Sequence, residues 1–359
     1  MPEWSTIHEV VDAARTSLDP RVWDYSAGGA DDEITLRRNR SAFEDIAFSP
    51  RILQGAENPD LSTTLVGKDL ELPLLFAPVG SIAQFDHAGA LAPARVAERM
   101  GIASFVGTLA TPSLEEVASN ASGPLFFQMY VYGDRGWVAE LLARVEAAGY
   151  SALCVTVDVG AYGRRERDLR NRFYPRESVE RPNLDVLGGV PGTVLDDTYN
   201  ARFTWADLAW LRELTSLPIM VKGVLAAADA VACVDRGVDV VYVSNHGGRQ
   251  LDHAPSSIEV LPEVAEAVQG RADLVVDSGF MRGTDVLKAL ALGAKAVGLG
   301  KLMVWALAAG GEDGLEAVVA ILRSEMSAAM TNLGVRSVTE LSPGHLRPAS
   351  APPAAPWPS

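Results

Sequence analysis

The sequence predicts an α/β protein built on a (β/α)8 barrel, and three observations carry that expectation. Eight short β-rich runs alternate with longer helix-like segments from about residue 72 onward. Each run is continuously apolar, as parallel strands covered on both faces are. Strand after strand then ends in polar residues that a core cannot use. In a barrel such ends converge on one mouth, whereas an open doubly wound sheet would spread them along an edge. Periodicity alone leaves the two architectures level; the polar ends favour the barrel.

In chain order, residues 1–71 precede the barrel, helical up to about Arg40 and then a lead-in. Strands are expected at Leu72–Pro78, Ala103–Thr108, Leu125–Val131, Ala152–Asp158, Pro218–Gly223, Val240–Asn245, Leu274–Asp277 and Ala296–Gly300. Helical spacing fills the intervals, for example at Gly89–Met100, Val138–Gly149 and Asp285–Gly293. The connection Asn171–Phe203, after the fourth strand, is too long for an ordinary loop; such insertions are usually functional lids or disordered segments. Beyond Leu341 the chain is rich in proline, from Pro343 to Pro358, so residues 342–359 are expected to form a disordered tail. Residues 1–341 are then one domain, with the barrel at about 72–333.

With 359 residues, 48% of them hydrophobic and 21% charged, the chain can bury one large core. A net charge of −15 argues against nucleic acid as a partner, and any anionic substrate needs a locally positive pocket. Cys154 and Cys233 lie far apart in apolar stretches; they offer no disulfide framework or metal-ligand pattern and read as core residues. Glu3, His8, Glu9 and Asp12 interrupt any signal peptide, and no stretch reaches the length of a membrane span. A cytoplasmic protein without membrane attachment is expected.

The strand ends carry the chemistry. In Ser244–Asp252, a histidine is followed by two glycines and Arg249, which puts a group titrating near neutrality beside a cation. The glycines would let backbone approach a ligand. After the fourth strand comes Gly163-Arg164-Arg165, where one arginine could clamp an anion; spacing does not choose between Arg164 and Arg165. The ends of the seventh and eighth strands, Asp277-Ser278-Gly279 and Gly298-Leu299-Gly300-Lys301, sit where barrels recurrently bind phosphate, which implies a phosphate-bearing cofactor. Lys222 ends an apolar strand, suited either to a Schiff base or to offsetting charge on a cofactor ring.

Taken together, these segments resemble the FMN-dependent L-2-hydroxy acid oxidase and dehydrogenase family, over roughly Val22 to Leu333. The markers are Asp24–Ala30, Phe127–Tyr130, Thr156-Val157-Asp158, Gly163–Arg165, Val221–Gly223, Ser244–Gly247 with Arg249, and Gly283–Val286. The resemblance implies FMN as cofactor, oxidation of a small-molecule 2-hydroxy acid, electron transfer to O2 or another acceptor, and a homotetramer. It implies His246 as catalytic base with Asp277 supporting its imidazolium. Arg165 and Arg249 would grip the substrate carboxylate, with Tyr25 and Tyr130 on the carboxylate and hydroxyl. Lys222 would lie beside flavin N1 and the C2 carbonyl. Ala77, Pro78, Val79, Gly80, Gln128, Thr156, Ser244, Asp277, Gly279, Arg282, Gly300 and Lys301 complete the implied cofactor contacts.

Three positions depart from the family pattern. Leu109 stands where glycolate oxidases carry tryptophan, so a substrate with a larger apolar side chain is expected. Met281 and Lys301 stand where the family has phosphate-binding arginines, which predicts weaker FMN binding unless Arg282 compensates. The Asn171–Phe203 connection resembles the family's lid, and its acidic residues Glu177, Glu180, Asp185, Asp196 and Asp197 disfavour membrane attachment. The alternatives are another FMN barrel, such as a type 2 isopentenyl diphosphate isomerase or an inosinate-dehydrogenase-like enzyme, and a non-catalytic flavin-binding barrel.

Overall fold

The computed structural model describes residues 4–175, 181–184 and 198–349. Eight parallel strands close into a barrel: β1 (Leu74–Phe76), β2 (Ala103–Gly107), β3 (Leu125–Met129), β4 (Ala152–Thr156), β5 (Ile219–Val224), β6 (Val240–Val243), β7 (Asp273–Val276) and β8 (Ala296–Leu299). Each pairs with the next, and β8 closes on β1 with Leu299 opposite Phe76. The strands fall where the apolar runs predicted. Most are a residue or two shorter at the C-terminal end, because the polar residues there have turned out of the ladder into the mouth.

Strand side chains alternate between two environments. Leu75, Phe105, Phe126, Cys154, Met220, Tyr242, Val275 and Ala296 point inward and fill the barrel. Their neighbours Phe76, Val106, Phe127, Val155, Val241 and Val276 pack outward against the helices. Both cysteines are buried free thiols.

Three helices precede the barrel: α1 (Ile7–Ser17), α2 (Pro20–Ala27) and α3 (Ile34–Ser41). Thr6 and Glu9 form a capping box at the start of α1, and Asp19 caps α2 ahead of Pro20 in its first turn. The chain leaving α2 docks on the mouth, where the Ala30 N–H donates to the Gly248 carbonyl (2.8 Å). No side chain of its own caps α3. Instead the Asp252 carboxylate accepts from the Ile34 and Thr35 N–H groups (3.2 and 2.7 Å), satisfying first-turn donors from across the sequence. Asn39 and Asn245 exchange two side-chain hydrogen bonds (2.9 and 2.7 Å). The lead-in is thereby fixed against the segment that follows β6.

The outer ring comprises α4 (Leu91–Met100), α5 (Leu114–Asn120), α6 (Arg135–Ala147), α7 (Glu166–Asn171), α8 (Thr198–Arg202), α9 (Trp205–Leu214), α10 (Ala227–Val234), α11 (Ser257–Val268), α12 (Gly283–Ala291) and α13 (Lys301–Leu333). Among the described residues no helix is long and apolar enough to cross a membrane.

One expectation needs adjustment. Part of the segment expected to be a disordered tail is ordered: Leu346–Pro348 pairs antiparallel with Ile46–Phe48, Pro348 opposite Ile46. Proline is tolerated at such an edge, so Pro343 and Pro348 did not mark disorder. Residues 350–359 lie outside the described residues, as do 176–180 and 185–197 of the expected lid, including its five acidic residues. The described part of that connection is anchored by two asparagines. Asn183 accepts from the Leu114 N–H (2.8 Å), and Asn200 accepts from the Val131 N–H (3.2 Å) and donates to the Val159 carbonyl (2.8 Å).

Candidate active site

A cavity of about 870 Å³ opens at the C-terminal mouth of the barrel. Its lining brings together Tyr25, Leu109, Tyr130, Arg165, His246 and Arg249, contributed by α2 and by the segments following β2, β3, β4 and β6. These residues are scattered over more than 220 sequence positions. Convergence of strand ends is what makes them one site.

His246 leaves β6 with a left-handed backbone (φ 60°). Its Nδ1 lies 3.1 and 3.3 Å from the two carboxylate oxygens of Asp158, and its Nε2 lies 3.4 Å from the Tyr130 hydroxyl. The supporting carboxylate is therefore Asp158 at the end of β4, not Asp277 as expected. Asp277 instead faces Lys222 (3.0 Å) and accepts from Ser244 Oγ (2.6 Å) and Ser278 Oγ (2.8 Å). The reason is placement: Asp158 extends past β4 into the mouth, whereas Asp277, immediately after β7, stays at the level of Lys222. Burial lowers the His246 pKa below its ordinary value even though Asp158 pulls the other way. Burial alone would raise Asp158, but His246 and then Lys222 outweigh it and hold the carboxyl below the usual range. The resting pair is thus neutral imidazole beside carboxylate, with Nε2 presented to the cavity. Burial, reinforced by Asp158, holds the Tyr130 phenol well above its ordinary value, so it remains a donor.

Arg165 is buried, while Arg164 lies on the surface with its side chain 67% exposed beside Glu166. The structure thereby makes the choice that spacing left open. Arg165 donates to the Tyr162 hydroxyl (2.7 Å) and Gln250 Oε1 (3.1 Å). Arg249 donates to the carbonyls of Tyr25 and Gly28 and lies 4.8 Å over the Tyr25 ring. Burial, and then repulsion from Arg165, lowers the Arg249 pKa. Two crowded cations, one buried and one half-buried, in a strongly acidic protein make a place for an anion.

Of the two glycines after His246, Gly247 lines the cavity as expected, whereas Gly248 serves a different purpose. Gly248 (φ 72°) allows α3 to approach: a Cβ there would lie 2.7 Å from the Leu36 backbone nitrogen. Close packing of the lead-in helix, not of a ligand, requires it. Gly80 similarly leaves room for Leu109, whose Cβ would lie 3.2 Å from an added Cβ; together they form part of the apolar wall.

Along the opposite side, the residues fit a flavin ring. Lys222 is buried, and although burial opposes its charge, Asp277 and then Asp158 hold it protonated. It donates to Ser244 Oγ (2.8 Å), and Gln128 donates to Thr156 Oγ1 (2.9 Å) in the same polar layer. Ala77, Pro78, Val79 and Gly80 line the adjoining wall. At the other end, Gly279 and Gly300 line the cavity beside the start of α13, whose first N–H groups have no side-chain cap. Backbone donors of that kind suit a phosphate. The side-chain cations expected there line the cavity and are held by other protein groups. Lys301 Nζ donates to the Ala27 and Gly28 carbonyls (2.8 and 2.7 Å) at the C-terminus of α2, and Arg282 pairs with Glu325 (2.7 Å). Met281 adds no charge.

With this geometry in hand, comparison with known proteins is specific. A sequence model of the family described as FMN-dependent dehydrogenase matches residues 14–348. An L-lactate oxidase of Nostoc is 41% identical over 354 residues, covering 95% of this chain and 97% of its own. The glycolate oxidase of Spinacia oleracea is 41% identical over 354 residues, covering 96% of both. Among solved structures, a soluble mutant of the membrane-associated (S)-mandelate dehydrogenase from Pseudomonas putida superposes with a TM-score of 0.92 at 35% identity, covering 97% of this chain and 100% of that one. A mandelate oxidase with (S)-2-phenylpropionate gives 0.87 at 38% identity, covering 96% and 98%. The isomerase-like and inosinate-dehydrogenase-like alternatives fall away: the chain belongs to the family of FMN-dependent 2-hydroxy acid oxidases and dehydrogenases.

Proposed function

We propose that the chain oxidises an L-2-hydroxy acid whose apolar side chain is larger than that of glycolate, with His246 as base and Arg165 and Arg249 as the carboxylate clamp. The observation that carries this reading is the His246 environment: Nδ1 on a half-buried carboxylate, Nε2 toward a phenol, and two arginines, Arg165 buried and Arg249 half-buried, in the same cavity. Leu109 packed against Gly80 supports the side-chain preference, because it leaves an apolar wall where an indole would fill space. The mandelate enzymes among the similar structures act on an acid of that kind.

FMN held at the ring end by Lys222, Ser244, Gln128 and Thr156 would supply the acceptor for two electrons and for the second hydrogen of the acid. The chain's residues do the rest. Arg165 and Arg249 fix the carboxylate, which orients C2 toward the cofactor. Tyr130 donates to the substrate hydroxyl oxygen. His246 Nε2 takes one proton, from the hydroxyl or from C2, and Asp158 stabilises the imidazolium so formed. Lys222 offsets negative charge arriving at the ring edge. O2 or another acceptor would then be needed to reoxidise the cofactor.

We also propose a cytoplasmic homotetramer. The adjoining side chains Ile52 and Leu53, 80% and 95% exposed, are surface that a second subunit would cover. Light scattering coupled to gel filtration should give a mass of four chains; a monomer mass overturns that part. The function is tested by presenting a panel of L-2-hydroxy acids to the holoenzyme, with O2 and with an artificial acceptor. Higher kcat/KM on mandelate-sized acids than on glycolate is expected, and the reverse order contradicts the assignment.

A further inference from the structure

One polar group near the cofactor floor has no role in the chemistry above. Tyr242, at the third position of β6, points into the barrel among Phe105, Phe126, Cys154 and Met220 and is fully buried. Its hydroxyl faces Asp277 without completing a well-formed hydrogen bond, a costly arrangement for a phenol in an apolar core. Space is made for it by Gly298 on β8, where an added Cβ would overlap the Tyr242 hydroxyl and stand 3.2 Å from Asp277 Cβ. Gly298 itself lines the cofactor cavity, with Lys222 and Asp277 beside it. The Lys222 ammonium lies 5.0 Å from the centroid of the Tyr242 ring. The hydroxyl thus sits where the cavity floor, Asp277 and the underside of Lys222 meet.

We propose that Tyr242 is a positioning residue of the flavin site, whose hydroxyl is available to donate to Asp277 and so sets how much positive charge Lys222 presents to the ring. Asp277 accepts from Ser244 and Ser278 and pairs with Lys222, and a carboxylate has capacity for a fourth donor. Burial, and then the nearby Asp277, holds the phenol well above its ordinary pKa, so it is a donor at any working pH. A donor on Asp277 withdraws negative charge from the partner of Lys222. More of the lysine's field then reaches the cofactor, and the reduced ring is stabilised.

The inference rests on flavin occupying this cavity, and the experiment separates the two. In the intact holoenzyme, Tyr242→Phe removes one oxygen and keeps the ring. The midpoint potential of the bound flavin should fall by the equivalent of about tenfold in the oxidised–reduced equilibrium, roughly 30 mV for a two-electron couple. KM for the substrate should stay within twofold. Site-specific replacement of Tyr242 by 3-fluorotyrosine, a stronger donor of nearly the same shape, should move the potential upward; it decides the matter if the phenylalanine variant fails to fold. An unchanged potential in both variants overturns the role of Tyr242 while leaving the flavin assignment intact. Absence of bound flavin in the unsubstituted protein would instead remove the reading on which the inference rests.

Discussion

Asp158→Asn should slow anaerobic flavin reduction by about 30-fold to about 1,000-fold while leaving substrate affinity nearly unchanged. The magnitude follows from the His246–Asp158 contact, whose Nδ1–oxygen distances are 3.1 and 3.3 Å. With charge centres about 4 Å apart and an effective dielectric of about 20, a full imidazolium gains about 4 kcal/mol from the carboxylate. A half-developed proton transfer gains about 2 kcal/mol, and each 1.36 kcal/mol is worth about tenfold in rate. Asparagine keeps the size, and its carbonyl still accepts from Nδ1–H, so the ring orientation survives and only the charge is lost. The assay is stopped-flow loss of oxidised-flavin absorbance at several substrate concentrations, which separates the limiting rate from the dissociation constant. Asp277→Asn is the comparison: it should disturb the bound flavin through Lys222 more than proton transfer through His246. A limiting rate for Asp158→Asn within threefold of the unsubstituted enzyme, or a loss confined to substrate affinity, would refute the reasoning.

Four further outcomes follow from the same geometry. Burial lowers the His246 pKa, and the active base is the neutral form. The acid limb of the kcat/KM profile should therefore lie below pH ~6.5, the ordinary histidine value, and a limb above pH 7 would contradict this. Leu109→Trp should reverse the side-chain preference by filling the wall beside Gly80, read as the mandelate-to-glycolate ratio of kcat/KM. With Lys301 and Arg282 engaged by Ala27, Gly28 and Glu325, FMN should be released on prolonged dialysis. Fluorescence titration of the apoprotein should then show riboflavin binding within about tenfold of FMN, a difference of about 1.4 kcal/mol; retention of stoichiometric FMN argues the other way. Gly248→Ala should lower stability by roughly 1–3 kcal/mol through its strained backbone and its clash with Leu36, measured by denaturant unfolding of the holoenzyme.

The barrel was legible because its signals are local: continuous apolar runs, helical spacing between them, and polar residues at each strand end. Positions of His246, Arg249, Tyr130 and Lys222 follow from those strand ends without knowledge of contacts. What the sequence could not convey was which groups meet across the mouth. Asp158 and Asp277 are both carboxylates ending a strand, and only the stagger between β4 and β7 assigns the first to His246 and the second to Lys222. Likewise, that Lys301 at the cavity wall is held by the carbonyls at the end of α2 depends on a contact more than 270 residues away. The role of Gly248 is equally non-local, since its neighbour is Leu36, more than 200 residues away. At the C-terminal end, proline content hid an edge pairing with Ile46–Phe48 that depends on a partner strand far upstream.

The central claim is that His246 deprotonates an L-2-hydroxy acid held against bound flavin. Its most direct test is anaerobic mixing of the holoenzyme with L-mandelate and, separately, with the D enantiomer, alongside the His246→Ala variant. The flavin absorption of the unsubstituted enzyme should bleach with the L acid only. The variant, still binding flavin, should bleach at least about 100-fold more slowly. Equally fast bleaching in the variant would contradict the account.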